Sequence, residues 1–449
     1  MIQVNLYISN FNKRGNKVKK IISIICFILV NVCIYNGLNY ILVDDTKSYT
    51  RITMHELYEA EENIDILFVG SSHCYCGLDP RITDEIFQCN TFNGGSSSQG
   101  LDGSLQIIKE TDKANDIKHI YLEVYYEVAM LPEYDERTQM TQTYIISDYM
   151  KPSMQRLEYV LSASGKEHYS NSFLPFRRNW SKIMDLSYIS TLVQKKLSLD
   201  YQNYDYSCVN SETETYMGKG YVETERMFID DYIHLEENFE PIDYANISED
   251  WKTSLDEIIK YCEENKIELT LFSAPMPDMR LTMVGNYDDY IMYINEVIQD
   301  TDIKYYDFNL CKYEYFSGEP RMFYDSHHLS KEGVSQFTTV AAELFTGKLS
   351  EEDIFYNSYV EKQQNLLEEI VGFSVKRCEE ERNIYISPIE LKKNVIEYIV
   401  AEESDLCGVV YSERIDNMLC LHYEDISKVD CNIQVIINGT DAGCINVSY

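Results

Sequence analysis

From Ile64 to Phe345, short apolar runs alternate with stretches whose apolar residues recur every three or four positions. Ile64–Val69, Thr91–Asn93, His119–Val124, Glu268–Ser273 and Lys304–Phe308 read as strands. Between them, Ile82–Phe87, Ser104–Thr111, Ser248–Glu264 and Asp289–Ile298 read as helices. Leu255, Ile258, Ile259 and Cys262 carry the i, i+3, i+4, i+7 face of one of them. Val334, Phe337, Val340, Ala341 and Leu344 mark a last helix that packs on the sheet. Strands spaced by helices predict crossover units, hence an α/β fold with a parallel sheet.

The rhythm breaks between Leu131 and about Glu249, a stretch rich in Tyr, Asn, Ser and Met, with a helix expected at Pro152–Ser162. It reads as an insertion above the sheet. After Gly347 comes an acidic, helical link, Ser350–Glu369. From about Gly372 the pattern changes to strand runs such as "NVIEYIVAE", "LCGVVYSE", "IQVIINGT" and "GCINVSY". "NGTDAG" between two of them is a turn signal. These runs predict a small β domain.

Ahead of the alternation, Ile21–Val43 is apolar for long enough to cross a bilayer. Lys13, Arg14, Lys17, Lys19 and Lys20 precede it, and Asp44 and Asp45 follow. That bias predicts a cytoplasmic N-terminus with the rest of the chain outside, a single-pass protein of the plasma membrane. The competing reading is a cleaved signal peptide. The length of the run and the lack of a small-x-small site favour a retained anchor. Asn31, Asn36 and Asn39 dilute its second half. The expected organisation is a cytoplasmic N-terminus (1–20), a span (21–43), a linker (44–63), an α/β domain (64–347) with its insertion at about 131–249, a second linker (348–371) and a β-rich domain (372–449).

Composition narrows the function classes. A formal charge of −35 over 449 residues argues against a nucleic-acid partner. It argues equally against a peripheral protein held on anionic lipid by charge alone. The 38 tyrosines read as a Tyr-rich core rather than a carbohydrate site. Thirteen cysteines form no CxxC pair and no zinc pattern, so Cys74 and Cys76 are weak metal or redox candidates.

Two stretches carry chemistry. In "DILFVGSSHCYCGLDP" (Asp65–Pro80) an apolar strand ends at Gly70 and exposes Ser71, Ser72 and His73. In open parallel sheets ligands gather at the carboxyl ends of strands, where Ser72 would lie. In "FYDSHHLSKEG" (Phe323–Gly333), Asp325 and His328 are three residues apart. One turn can place both on one side, so that the carboxylate accepts from one imidazole nitrogen while the other faces a serine. The alternative is that Asp325 and Ser326 cap a helix and the histidines are surface residues.

Together these stretches resemble the SGNH (GDSL-type) hydrolase family. Gly70-Ser71-Ser72 matches its first block, Asn93-Gly94-Gly95 its second and Asp325-Ser326-His327-His328 its last, in the family's order. The resemblance covers roughly Ile64–Phe345, with the insertion unmatched. It implies a three-layer α/β/α, flavodoxin-like fold and a triad of Ser72 (nucleophile), His328 (base) and Asp325. It also implies an oxyanion hole formed in part by the N–H groups of Ser72 and Gly95, and no metal or organic cofactor. The family's third block, Gly-x-Asn-Asp, is replaced by "LEVYYEV", with Tyr125, Tyr126 and Glu127 at that location. Tyr126 is then a candidate oxyanion donor, and Gln99 of "GSSSQG" another, against the blander reading of a loop amide. The anchor looks like that of membrane-tethered members that modify cell-surface polymers, relatives of DltD and of proteins working with membrane-bound O-acyltransferases. The resemblance thus implies an esterase or acyltransferase acting on acyl esters, acetyl above all, of a cell-envelope glycan or other surface polymer. A binding or assembly protein that keeps the scaffold without catalysis is the alternative.

Overall fold

A computed structural model describes residues 2–130, 140–225, 234–235, 247–365, 370–390, 395–400 and 408–448. Parts of the expected insertion (131–139, 226–233 and 236–246) and of the C-terminal strand runs lie outside the described residues. The strands of the first part are β1 (Ile66–Val69), β2 (Thr91–Asn93), β3 (His119–Glu123), the hairpin β4 (Glu214–Gly218) and β5 (Tyr221–Thr224), the short β6 (His234–Leu235), β7 (Glu268–Ser273) and β8 (Lys304–Asp307).

β2, β1, β3, β7 and β8 form one parallel sheet in that order. Alternation along each strand divides its side chains between two cores. Leu67, Val69, Ile120 and Leu122 join one face with the helices Leu101–Asp112, Glu249–Asn265 and Tyr287–Ile298. Ile66, Phe68, Tyr121 and Tyr306 join the other with the helix Lys331–Phe345. Leu67, Phe68 and Val69 are wholly buried, which stabilises the fold by about 1.5–3 kcal/mol for each side chain. The chain runs from β1 outward to β2, then back across β1 to β3. The order therefore reverses between β1 and β3, where an open α/β sheet leaves its crevice.

Two stretches expected as linkers are packed structure instead. Within 44–63, Tyr49–Tyr58 is a helix capped by Ser48, with Ile52, Met54 and Leu57 buried. Within 348–371, Ile354 and Tyr359 are buried in the two cores of the sheet. Lys362 is buried too, with its ammonium 3.0 Å from Asp278 Oδ1 and donating to Asn309 O at 2.9 Å. A buried ammonium with these partners belongs to the body it is buried in. The expected boundary at Gly347 is therefore too early. The acidic composition of Ser350–Glu369 suggested a solvated link, but Ile354 and Tyr359 point inward while Val360 faces solvent.

The hairpin β4–β5 closes over the edge strand. Asn93 N–H donates to Lys219 O at 2.9 Å. The next residue, Gly220, has φ +78°, and a Cβ there would fall 1.7 Å from Asn93 O. Only glycine fits that approach. Beyond residue 369 come β9 (Ile370–Cys378), β10 (Asn383–Glu390), β11 (Ile396–Val400), β12 (Val409–Ile415), β13 (Met418–Tyr423), β14 (Asp430–Ile437) and β15 (Thr440–Ser448). They form two antiparallel sheets around their own core of Phe373, Val375, Ile384, Leu421, Ile433 and Val435, and β6 adds a parallel edge to β9. β14 and β15 meet at Asn438-Gly439, both with positive φ, a tight hairpin turn.

The N-terminal helix runs from Ile2 to Leu42. Among the described residues its segment Lys19–Leu42, 24 residues with mean hydropathy 2.3, is the one helix long and apolar enough to cross a membrane.

Candidate active site

β1 delivers the first residues of the site. Its last residue is Val69, and Gly70 turns the chain into the four-residue helix Ser72–Tyr75. A Cβ on Gly70 would lie 2.5 Å from the Glu123 Cβ, so the turn needs a residue without one. Ser71 caps the helix by accepting from His73 N–H. Ser72 is its first residue, half-buried, with its N–H at the helix start and no acceptor paired with it among the described residues.

The partners come from a tight loop before the helix Lys331–Phe345. A bridge between Phe323 and Leu329 pins the ends of the loop, and Tyr324 N–H donates to His328 O at 2.7 Å. Thr224 of β5 donates to Leu329 O at 2.6 Å, so the hairpin braces this loop. The structure brings Ser72, His328 and Asp325 together. His328 Nε2 is 2.7 Å from Ser72 Oγ. His328 Nδ1 is 3.0 and 2.9 Å from the two Asp325 oxygens. The carboxylate fixes the tautomer: Nδ1 carries the proton and Nε2 accepts from the serine. Burial alone would raise the Asp325 carboxyl. The His328 ring and the N–H groups of His327 and His328, donating at 2.8 and 2.7 Å, overcome it and hold the group well below the usual range.

His327 faces elsewhere. Its Nε2 accepts from Arg280 Nη1 at 3.0 Å, and its Nδ1 lies 3.4 Å from the Tyr125 hydroxyl. Arg280 is buried and pairs with Glu127. Burial and Arg280 push the His327 imidazole down to about 4, so it stays neutral. His73 stacks on His328 with ring centroids 4.9 Å apart. Its Nε2 donates to His327 O at 3.1 Å. Burial, then His328 and His327, push it well below its usual value. A neutral ring beside His328 does not oppose a charge developing there. Glu123, at the end of β3, accepts Ser71 N–H at 2.7 Å. Burial pushes its carboxyl up to about 7 against that hydrogen bond.

The expected oxyanion donors need correction. Gly95 N–H donates to Asn93 Oδ1 at 3.1 Å and is committed to its own loop. The Asn93 amide in turn donates to Cys74 O at 2.8 Å and Leu78 O at 3.0 Å, clamping the turn that carries Ser72. Gln99 is buried and bonds to Ser96, Gly94 O and Ser104, the loop-amide alternative. Tyr126 packs in the core, where its hydroxyl donates to Glu127 at 3.0 Å and accepts from Arg280 at 3.2 Å. The neighbouring Tyr125 is the one at the site, its ring 4.1 Å from that of His73. Glu127 is ionised: burial would raise it, but Arg280 outweighs burial and lowers it.

Sequence reading named His73 and Tyr125 without giving either a partner, and missed Arg280 and Glu123 as parts of this network. An arginine in "MPDMRL", just past a strand end, was the available signal. Cys74 and Cys76 are buried with thiols pushed up by burial, which makes them inert side chains of the turn. Among the described residues no group of His, Cys, Asp and Glu could hold a metal ion. No protein-family model and no curated protein matches the chain.

Proposed function

We propose that this chain is a membrane-anchored serine esterase or O-acyltransferase of SGNH type. It would act outside the cytoplasm on acyl esters, acetyl above all, of a cell-envelope glycan or other surface polymer. The observation that carries the reading is the line Ser72 Oγ, His328 Nε2, His328 Nδ1, Asp325, with 2.7 Å at its first contact. His328 takes the Ser72 proton as Oγ attacks the acyl carbonyl, and Asp325 stabilises the imidazolium. The oxyanion forms against the Ser72 N–H. As the tetrahedral adduct collapses, His328 returns the proton to the departing alcohol and the acyl group stays on Ser72. Water or a second hydroxyl then attacks the acyl-serine as His328 removes its proton, and the second adduct collapses by breaking the acyl–Oγ bond while His328 returns that proton to Ser72. The sheet reversal between β1 and β3, the Ser72 turn after β1 and the Asn93 clamp support assignment to that family, and a flavodoxin-like strand order accompanies them. A fluorophosphonate probe should label the full-length protein and fail on Ser72→Ala. Equal labelling of both would end the reading.

The anchoring rests on the Lys19–Leu42 helix and the cations before it. External protease added to intact cells should remove everything after Asp44. Full protection would reverse the orientation. One observation favours a second reading, a binding or assembly protein of the envelope working beside a membrane-bound O-acyltransferase. The Gly95 amide is taken by Asn93, which leaves the Ser72 N–H as the oxyanion donor identified. Absence of probe labelling in a folded wild-type chain would select that reading.

A further inference from the structure

The C-terminal end of the anchor helix is not bare. Phe176 N–H donates to Asn39 Oδ1 at 3.1 Å, and its ring packs on Tyr35 with centroids 6.3 Å apart. Asn179 donates to Leu42 O at 2.8 Å. Asn39, which dilutes the apolar run, thus meets protein rather than lipid. Tyr35 lies seven residues before Leu42, so this contact reaches about 10 Å down the helix at about 1.5 Å per residue. Whatever packs on Tyr35 is then at the depth of the headgroup and upper acyl region, where interfacial segments lie about 5–10 Å deep.

The segment that packs there carries exposed apolar side chains. Trp180, whose ring is 6.0 Å from that of Phe176, is 50% exposed. Met184 is 86% and Leu186 78% exposed. In water such a cluster is a liability, whereas at a membrane interface it is a contact. Charge agrees. Between Lys151 and Gln202 there are eight Lys and Arg against four Asp and Glu, in a chain of formal charge −35. Arg177 and Lys182 flank Trp180 and are exposed.

We propose that Pro175–Leu186 is a foot that rests in the membrane interface beside the anchor, with Trp180, Met184 and Leu186 in the acyl boundary and Arg177 and Lys182 at anionic headgroups. The inference rests on the anchoring reading above. It makes the attachment two-point, so the body is held at a set angle to the bilayer instead of swinging on one helix.

The test uses the full-length chain in phosphatidylcholine vesicles with phosphatidylglycerol and lipids brominated high on the acyl chain. The chain has two tryptophans, and Trp251 is buried, so accessible emission reports Trp180. Bromolipid should quench Trp180, aqueous acrylamide should not, and Trp180→Phe should remove the quenched component. Met184→Asp with Leu186→Asp, both exposed and outside any core, should restore acrylamide quenching. Arg177→Glu with Lys182→Glu should weaken bromolipid quenching on phosphatidylglycerol vesicles and leave it unchanged on phosphatidylcholine alone. Flotation of the vesicles reports anchoring separately. Protein that floats while Trp180 answers to acrylamide and not to bromolipid overturns the foot. Protein that does not float overturns the anchoring, and the foot with it.

Discussion

The central sheet carries a carboxylate, a histidine and a hydroxyl in line at each end. At the carboxyl end these are Asp325, His328 and Ser72. At the amino end they are Glu268, His119 and Thr270: His119 Nδ1 is 3.2 Å from Glu268 Oε2, and its Nε2 is 2.8 Å from Thr270 Oγ1. A cavity of about 550 Å³ borders the second set. By distances alone the two are hard to tell apart. The surroundings separate them. The Asp325 side chain is 26% exposed and receives two backbone N–H groups, whereas that of Glu268 is 80% exposed. Ser72 starts a helix with its N–H unengaged among the described residues, whereas Thr270 lies inside the ladder between Tyr121 and Lys304. A reacting hydroxyl needs a place for the oxyanion, and a strand interior offers none. Three aligned side chains therefore do not define a catalytic site. The backbone around the hydroxyl and the shelter around the acid do.

The largest contrast lies in the hydroxyls. Ser72→Ala should abolish probe labelling and lower turnover of an acyl ester by roughly 10⁶-fold. Thr270→Val should leave both at wild-type levels. Loss of labelling in Thr270→Val with retention in Ser72→Ala would exchange the roles of the two ends. The acids come next. Asp325→Asn should cost roughly 10⁴-fold in turnover while leaving the fold intact, because the imidazole loses its tautomer and its counter-charge. Within the first site, His327→Gln should leave labelling in place, since its ring faces Arg280 and Tyr125. If His327→Gln silences the protein as His328→Gln does, the assignment of the base fails.

Much of the first site was legible in the sequence. A strand ending in Gly70 and two serines, and an Asp three residues before a His, are local signals. The sheet was legible for the same reason: its strands are buried on both faces and its helices carry one apolar stripe. The surroundings were not. Glu123 and Tyr125 come from one stretch and Arg280 from another, and nothing local in either points to His327 or Ser71. The burial of Lys362 against Asp278 joins residues far apart in sequence, so the acidic link after Gly347 read as solvated. Gly95 was placed correctly in its loop, but the direction of its N–H is set by the Asn93 side chain, which spacing cannot show.

A smaller effect sharpens the comparison through Glu123. Its carboxyl is pushed up to about 7 from 4.5 by burial, so the folded state holds its proton more tightly than the unfolded one. The stability this contributes is present below pH 4.5 and is lost as pH rises through 7. Glu123→Gln keeps an acceptor for Ser71 N–H and removes the ionisation. The variant should match wild type at pH 5 and be more stable at pH 8, by on the order of 2–3 kcal/mol. Denaturant midpoints of the two proteins at both pH values give the answer. A constant difference across that range would mean Glu123 does not titrate there.

The smallest effect is expected at Glu268, and it separates the two ends most cleanly. His119 is pushed down to about 4 from 6.5, first by burial, with Glu268 acting in the opposite direction. A depressed histidine binds its proton less tightly when folded. Its contribution is full above pH 6.5 and is lost as pH falls toward 4. Glu268→Gln removes the one charge that softens this loss. At pH 7 the ring is neutral and the carboxylate is largely in water, so stability should change by less than about 0.5 kcal/mol. Between pH 6.5 and 4 the variant should lose stability more steeply than wild type, while probe labelling of Ser72 at pH 7 is untouched. The same carboxylate-to-imidazole contact would then be worth almost nothing at the open end of the sheet and nearly all of the activity at the sheltered one. If Glu268→Gln lowers labelling, the amino end communicates with the site, and the difference drawn from exposure alone is wrong.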